Sequence, residues 1–410
     1  MRVLHLTPEL PCWPGGSGGA TRQFHLLRRL TELGHEVTVV APVPASDEHR
    51  RAQLEDAGVR LAGPSRPPSR AREAAAAVAR RPALAARAAA DPLLAWQVSV
   101  FWTALRPFAL AEVERRRPDA ITVEHDNAAA WVADLPRDIP AALTLHNLGP
   151  AYYASRAAAA GGVRRAWLEF ESRRFARFHA RWLRRYRTLI AMSELDAAQV
   201  RPLGVDVAVV PNGVAVDELP ALAPSPEPAT LLFTGTLSHP PNAEGIRWFA
   251  EEAWPRVLRA RPQARLLVVG RGAPRRVLDL HGDQGVEVVG AVDDMGPYFE
   301  RATAVVAPLR SGGGTRLKVL EAFARRRALV STTVGCEGLD VADGRELLVA
   351  DGPDELAAAV VRLLDDEALR ERLGAAGRAL AERTYDWRVI GDRLEEALER
   401  LARPSAGGGP

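Results

Sequence analysis

Residues 304–323 read AVVAPLRSGGGTRLKVLEAF. A valine-rich apolar run, Ala304–Ala307, leads into three successive glycines, Gly312, Gly313 and Gly314, then Thr315, and then a stretch from Leu317 with apolar residues at helical spacing. The pattern predicts strand, glycine-rich loop, helix. Successive glycines let backbone amides converge, and the free N–H groups of a helix's first turn carry partial positive charge. Such a loop suits an anion, for example a diphosphate.

The cations in this stretch argue the same way independently. Arg316 and Lys318 fall in the first helical turn, where the macrodipole disfavours positive charge by about 0.3–1 kcal/mol each. An anionic ligand reverses that sign. Lys318 is also the only lysine among 54 Lys and Arg residues, in a chain that otherwise uses arginine throughout. Asparagine is nearly as scarce, with Asn127, Asn147, Asn212 and Asn242. Residue types retained against such a bias mark functional candidates, because Lys and Arg are not equivalent in chemistry. The bland alternative is a solvated turn in which Lys318 pairs with Glu321 three residues on. Glu321 otherwise projects from the same helix as an acceptor for ribose hydroxyls.

Outward from this stretch, strand-like runs alternate with amphipathic or Ala-rich segments. In the first half they are Arg2–Leu6, Glu36–Ala41, Ala120–Val123, Ala141–Leu145, Thr188–Ala191 and Val207–Val210. In the second half they are Leu231–Gly235, Leu266–Gly270, Val286–Val289, Ala304–Ala307, Ala328–Ser331 and Leu347–Val349. Alternation of this kind predicts doubly wound parallel α/β sheets, and a cleft between two such domains places ligands at the carboxyl ends of facing strands. The predicted organisation is an N-terminal domain over 1–217, with a helical insertion at 66–116, and a Pro-rich linker at 218–229. A second domain follows over 230–385, then a C-terminal helix at 386–402 packing back on the first domain, and a disordered tail at 403–410.

Composition narrows the classes of function. The 410 residues are 47% apolar and 26% charged, which is the profile of a globular protein with full cores. Lys+Arg of 54 against Asp+Glu of 51 leaves a formal +3, too balanced for nucleic-acid binding by charge alone. Cys12 and Cys336 are too few for a disulfide framework or a cysteine metal site, which points to a reducing compartment. The N-terminus lacks a signal-peptide core and no run of about 18 apolar residues occurs, so the expectation is a cytoplasmic chain that does not span a membrane.

A second glycine-rich loop, Gly15-Gly16-Ser17-Gly18-Gly19, follows the first strand. It is not a dinucleotide fingerprint, because Pro8, Pro11 and Pro14 intervene after the strand and Thr21 stands where the third glycine belongs. It suits a phosphate or sugar approaching from the other domain, or else is a mobile surface loop. His146 and Asn147 end the strand Ala141–Leu145, as ligand contacts or as polar caps. Glu124-His125-Asp126 ends a neighbouring strand with acid/base side chains, and helix capping by Asp126 or Asn127 is an equal alternative. Asp293-Asp294 reads as an N-cap rather than a metal pair. Phe175, Phe178, Trp182 and Tyr186 share one helix face in an arginine-dense segment, which is either core or a basic surface for an anionic membrane, giving peripheral contact through 163–187.

Taken together these residues resemble a retaining glycosyltransferase of the GT-B fold, the group 1 or family 4 type. The resemblance rests on the opening strand with PGGSGG, LHN at Leu145–Asn147, AMSELD at Ala191–Asp196, VVPNGV at Val209–Val214, LLFTGTL at Leu231–Leu237, VVGRG at Val268–Gly272 and GGGTRLKVLEAF. It implies an α/β fold of two Rossmann-like domains facing a central cleft, with a nucleoside-diphosphate sugar as donor substrate and no cofactor or metal. The acceptor class is a glycan, a lipid-linked molecule or a small molecule. The implied donor contacts are Gly16, Gly235, Thr236, Gly290, Gly312, Gly313, Gly314, Thr315 and Glu321, with His146 reaching the transferred sugar.

Two departures from the family pattern stand out. Gly313 occupies the position of a usual glutamate, and the usual Arg and Lys after the first strand of the second domain are replaced by Thr236-Leu237-Ser238-His239. The expectation is therefore that Arg316 and Lys318 supply the electrostatic clamp on the departing diphosphate. The rival readings are a nucleotide-sugar epimerase on the same architecture and a non-catalytic nucleotide-sugar-binding protein. A phosphorylase would need a pyridoxal lysine, and the only lysine lies in the phosphate loop.

Overall fold

The structure, a computed structural model, describes residues 1–14, 16–65, 90–158, 160–225, 227, 229–312 and 316–403. Much of the expected helical insertion, 66–89, and most of the expected disordered tail lie outside the described residues. Seven strands form the first sheet: β1 (Arg2–Leu6), β2 (Glu36–Val40), β3 (Arg60–Ala62), β4 (Ala120–Glu124), β5 (Ala141–Leu145), β6 (Thr188–Ala191) and β7 (Asp206–Val209), in the order β3-β2-β1-β4-β5-β6-β7. Six form the second: β8 (Thr230–Thr234), β9 (Arg265–Val269), β10 (Val286–Gly290), β11 (Ala304–Ala307), β12 (Leu329–Ser331) and β13 (Leu348–Val349), in the order β10-β9-β8-β11-β12-β13.

Every ladder is parallel. Parallel strands are covered on both faces, so they read as continuous apolar runs rather than as alternation. Leu231, Leu232 and Phe233, consecutive in β8, are all fully buried. For this reason each predicted run is a strand to within one residue at either end. The strand missed was β3, a three-residue edge strand that is only half buried and so carries little pattern.

Each sheet reverses its winding at one place, between β1 and β4 in the first and between β8 and β11 in the second. Doubly wound sheets leave a crevice for ligands outside the carboxyl ends at such a switch point.

The first compact unit comprises Met1–Pro211 with the chain from Ile390, and the second comprises Asn212–Val389. The described residues of the Pro-rich stretch 218–229, expected as the linker between the two domains, fall within the bounds of the second unit, and Leu219 packs into that unit's core with Val319 and Phe323. The helix Trp387–Ala402 is tied to the first unit by Arg29, which donates to Asp392 at 2.8 Å, and by His35 with Glu395 at 2.9 Å.

The first unit's core settles the aromatic stripe. Trp102 stacks on Trp131 with ring centres 4.6 Å apart, and Phe175, Phe178, Trp182 and Tyr186 are all buried in the same cluster. Those four rings are core and do not form a membrane face. Phe175, Phe178 and Trp182 share the helix Gly162–Trp182, whereas Tyr186, expected on the same face, follows the helix end in extended backbone; the exposed large apolar side chains of that helix are Val163, Trp167 and Phe170. The helix Leu93–Arg116 is long and apolar enough to cross a membrane by length and composition. In this fold its Ala95, Trp102, Leu105, Ala109 and Val113 pack into the core.

Candidate functional site

At the second unit's switch point β8 gives way to glycine. Gly235 has φ +149°, and the carbon a side chain would add there would lie 2.9 Å from Lys318 Nζ and 3.0 Å from Asn242 Nδ2. Beside it Gly270, at φ +159°, would drive such a carbon to 1.8 Å from the Gly235 carbonyl oxygen. Its amide donates to the Gly290 carbonyl at 2.8 Å. The ends of β8, β9 and β10 are thus three adjoining glycines, which let other groups approach the backbone closely.

Lys318, the second residue of the helix Leu317–Ala324 after β11, reaches into this space. Its ammonium donates to Asn242 Oδ1 at 2.7 Å and sits 4.2 Å from the ring centre of Phe233. Burial and the charge of Arg316 bring the ammonium down to about 7. The alternative pairing of Lys318 with Glu321 is not what the structure shows. Glu321 instead faces Arg325 at 3.8 Å, and burial raises its carboxyl above the ordinary range despite that charge.

Arg316 caps the same helix from a buried position. It donates through Nε to the Val334 carbonyl at 3.0 Å and through an Nη to the Gly312 carbonyl at 2.9 Å, and it lies 3.6 Å from Glu337. Gly312 has φ +107°, so a glycine permits the turn that Arg316 braces. Gly313, Gly314 and Thr315 lie outside the described residues. Thr236 contributes its carbonyl, which accepts from Asn242 Nδ2 at 2.9 Å.

The first unit's switch point gathers a different chemistry. Glu124, the last residue of β4, accepts from Thr144 Oγ1 at 2.9 Å and is hydrogen-bonded to His146 Nε2. Burial works against its ionisation, but the bond and charge of His146 and the charges of His5 and Arg22 bring the carboxyl down to about 2. His125, at φ +72°, stacks on His146 and pairs through Nε2 with Glu9 Oε1 at 3.2 Å. Glu9 in turn accepts from Ser17 Oγ at 2.7 Å.

Gly19 packs against Glu9, His125 and His146, so the glycine loop closes onto this cluster. Gly16 lies close to the chain before it, where a side-chain carbon would meet Cys12 Sγ at 2.8 Å. Asp126 does not cap its helix: it accepts from the Gly149 amide at 2.7 Å and pairs with His179 at 2.9 Å. Asp294 does act at a helix start, accepting from the Gly296 amide at 2.8 Å.

Of the residues singled out from the sequence, Arg316, Lys318, Gly235, Thr236 and Gly312 converge in the second unit, and His146 lies in the cluster of the first. Sequence reasoning missed Glu9, which sits in a proline-rich turn with no periodic signal, and did not connect Asn242 with Lys318.

Residues 228–366 match the family described as glycosyl transferases group 1, and residues 16–218 match glycosyltransferase family 4. A phosphatidyl-myo-inositol mannosyltransferase of Mycobacterium tuberculosis is 32% identical over 235 residues, covering 53% of this chain and 60% of that protein. The chain thus matches less than two thirds of the length of that relative. A glycogen synthase of Mycobacterium tuberculosis is 25% identical over 426 residues, covering 95% of this chain and 92% of that protein. Among solved structures, a sucrose-phosphate synthase from Thermosynechococcus elongatus superposes with a TM-score of 0.71 at 19% identity, covering 98% and 99% of the two chains. An Anabaena protein crystallised with UDP-glucose gives 0.64 at 14% identity, covering 98% and 100%. These structures share the two-sheet GT-B fold. Matched by family models in both of its units, the chain belongs to the group 1, family 4 glycosyltransferases.

Proposed function

We propose that this chain moves a sugar from a nucleoside-diphosphate sugar to a hydroxyl acceptor with retention of anomeric configuration and without a metal. The observation that carries the reading is the Lys318 ammonium held at the glycine-lined end of β8, with the Arg316 guanidinium bracing the loop beside it. Departure of a nucleoside diphosphate concentrates negative charge on phosphate oxygens. Preset cations in a partly desolvated site stabilise that charge without reorganising.

In the step proposed, the bond from the anomeric carbon to the diphosphate oxygen breaks as the acceptor oxygen bonds to the same carbon. The acceptor's proton passes to the leaving phosphate oxygen, so no protein nucleophile is required. The other donor contacts are assigned to Gly16, Gly235, Thr236, Gly290, Gly312–Thr315 and Glu321, and His146 to the transferred sugar. The Anabaena protein's complex with UDP-glucose and the mannosyltransferase relatives support this class of donor and acceptor. The same reading places the chain in the cytoplasm, with peripheral membrane contact through the exposed Val163, Trp167 and Phe170.

The test is turnover of UDP-, GDP- and ADP-sugars in EDTA, scored as donor hydrolysis or transfer. Metal-free turnover selective for one base is expected. Absence of turnover with every base, with or without a divalent ion, would overturn the reading, and turnover only with a divalent ion would overturn its metal-free part.

A further inference from the structure

The lysine and its partner come from different elements. Lys318 stands on the helix after β11, and Asn242 is buried near the start of the helix Pro240–Trp248 after β8. Both ends of the Asn242 amide are used. Its oxygen accepts from Lys318 Nζ at 2.7 Å, and its nitrogen donates to the Thr236 carbonyl at 2.9 Å, which fixes the direction in which the oxygen points. The Phe233 ring centre lies 4.2 Å from the ammonium, and Gly235 leaves room that a side-chain carbon, 2.9 Å from Nζ, would take.

The residue type matters as much as the geometry. An ammonium has three donors, and an amide oxygen orients one of them without cancelling the charge. A carboxylate at the same place would neutralise it. An uncharged acceptor therefore orients the ammonium toward the strand ends without cancelling the charge it carries. The other titratable groups on the surrounding elements include Arg316 and Glu321 beside Lys318, Glu244 and Arg247 on the helix of Asn242, His239 in the β8 turn and Arg271 after β9.

We propose that Asn242 is the positioning residue for Lys318, holding its charge at the end of β8 where an anionic diphosphate meets it. The identity of that anion rests on the donor reading above; the positioning itself does not. Because Lys318 is the only lysine, protein labelled with ¹⁵N at lysine Nζ carries a single side-chain label, and its titration by NMR reads this one group.

In the isosteric variant Asn242→Asp the Lys318 titration should move upward by one unit or more, while affinity for UDP or GDP by calorimetry falls at least tenfold. In Asn242→Ala the diphosphate affinity should fall by about tenfold, or about 1.4 kcal/mol, because the ammonium is no longer held in one direction, and the Lys318 signal should move. A Lys318 titration identical in wild type and Asn242→Asp would overturn the proposal. So would lost affinity in both variants with an unmoved Lys318 signal, the result of a merely structural role. If the signal follows Asn242 but wild type binds no nucleoside diphosphate, the positioning stands and the donor reading falls.

Discussion

His125 and His146 stack with ring centres 4.2 Å apart and an interplanar angle of 25°, yet their surroundings drive their ionisation in opposite directions. Burial opposes charge on His125, but the hydrogen bond and charge of Glu9, with Glu124 and Asp126 behind it, raise it above its ordinary value. Burial and the charge of His125 lower His146 despite its bond to Glu124. Environments that push neighbouring groups apart are how one site holds both a protonated and an unprotonated partner near neutrality. Histidine NMR should show one ring titrating above 6.5 and the other below it. In Glu9→Gln the first should fall and the second should rise, since less charge on His125 means less repulsion at His146. A His146 titration that ignores Glu9 would break this coupling.

Glu124 links the same cluster to stability. In the fold its carboxyl is brought down to about 2, below the ordinary 4.5, so its contribution is present above 4.5 and is lost as pH falls toward 2. A shift of that size corresponds to a contribution on the order of 3 kcal/mol. Glu124→Gln should lower the melting temperature by several degrees at pH 7. The gap from wild type should close as pH falls below 4.5; a constant gap down to pH 3 would contradict the assignment.

Lys318→Ala should cost about 10²–10³-fold in kcat, the range for removing one preset charge-stabilising donor, with an unchanged melting temperature. Diphosphate affinity of the wild type should weaken as pH rises through about 7, because the ammonium deprotonates there and the neutral amine no longer attracts the anion. Calorimetry between pH 6 and 9 reads the slope, and normal turnover by Lys318→Ala would discard the clamp.

The glycines at the strand ends make a separate prediction from sterics. Gly270→Ala places a carbon 1.8 Å from the Gly235 carbonyl oxygen, a backbone atom that cannot step aside. Gly235→Ala meets the movable tips of Lys318 and Asn242 at 2.9 and 3.0 Å. Both residues also leave the backbone region open to side chains, at a cost of order 1–3 kcal/mol. Denaturant unfolding should show a larger loss for Gly270→Ala than for Gly235→Ala, while Gly235→Ala should weaken diphosphate binding more than its stability loss explains.

The scaffold was legible because parallel strands covered on both faces leave unbroken apolar runs, which is why Leu231–Phe233 and Ala141–Leu145 stood out while the half-buried edge strand Arg60–Ala62 did not. Composition also carried information: against a background of arginine and alanine, Lys318 and Asn242 were conspicuous as survivors. The aromatic stripe from Phe175 to Tyr186 shows the limit of periodicity, which predicts one helix face although Tyr186 lies past the helix end, and does not say what the stripe meets. It meets the core.

Local order along the chain was enough for the strands, the loops at their ends and the presence of a lone lysine in a glycine-rich turn, since these depend on neighbours within a few residues. Which groups meet was not written there. Lys318 and Asn242 are 76 positions apart, and Glu9 and His125 are 116 apart. Such pairs form because parallel winding returns the carboxyl ends of successive strands to one edge of the sheet. The shifts at Lys318, His125 and Glu124 follow from that convergence, because burial and neighbouring charge are properties of the packed molecule alone.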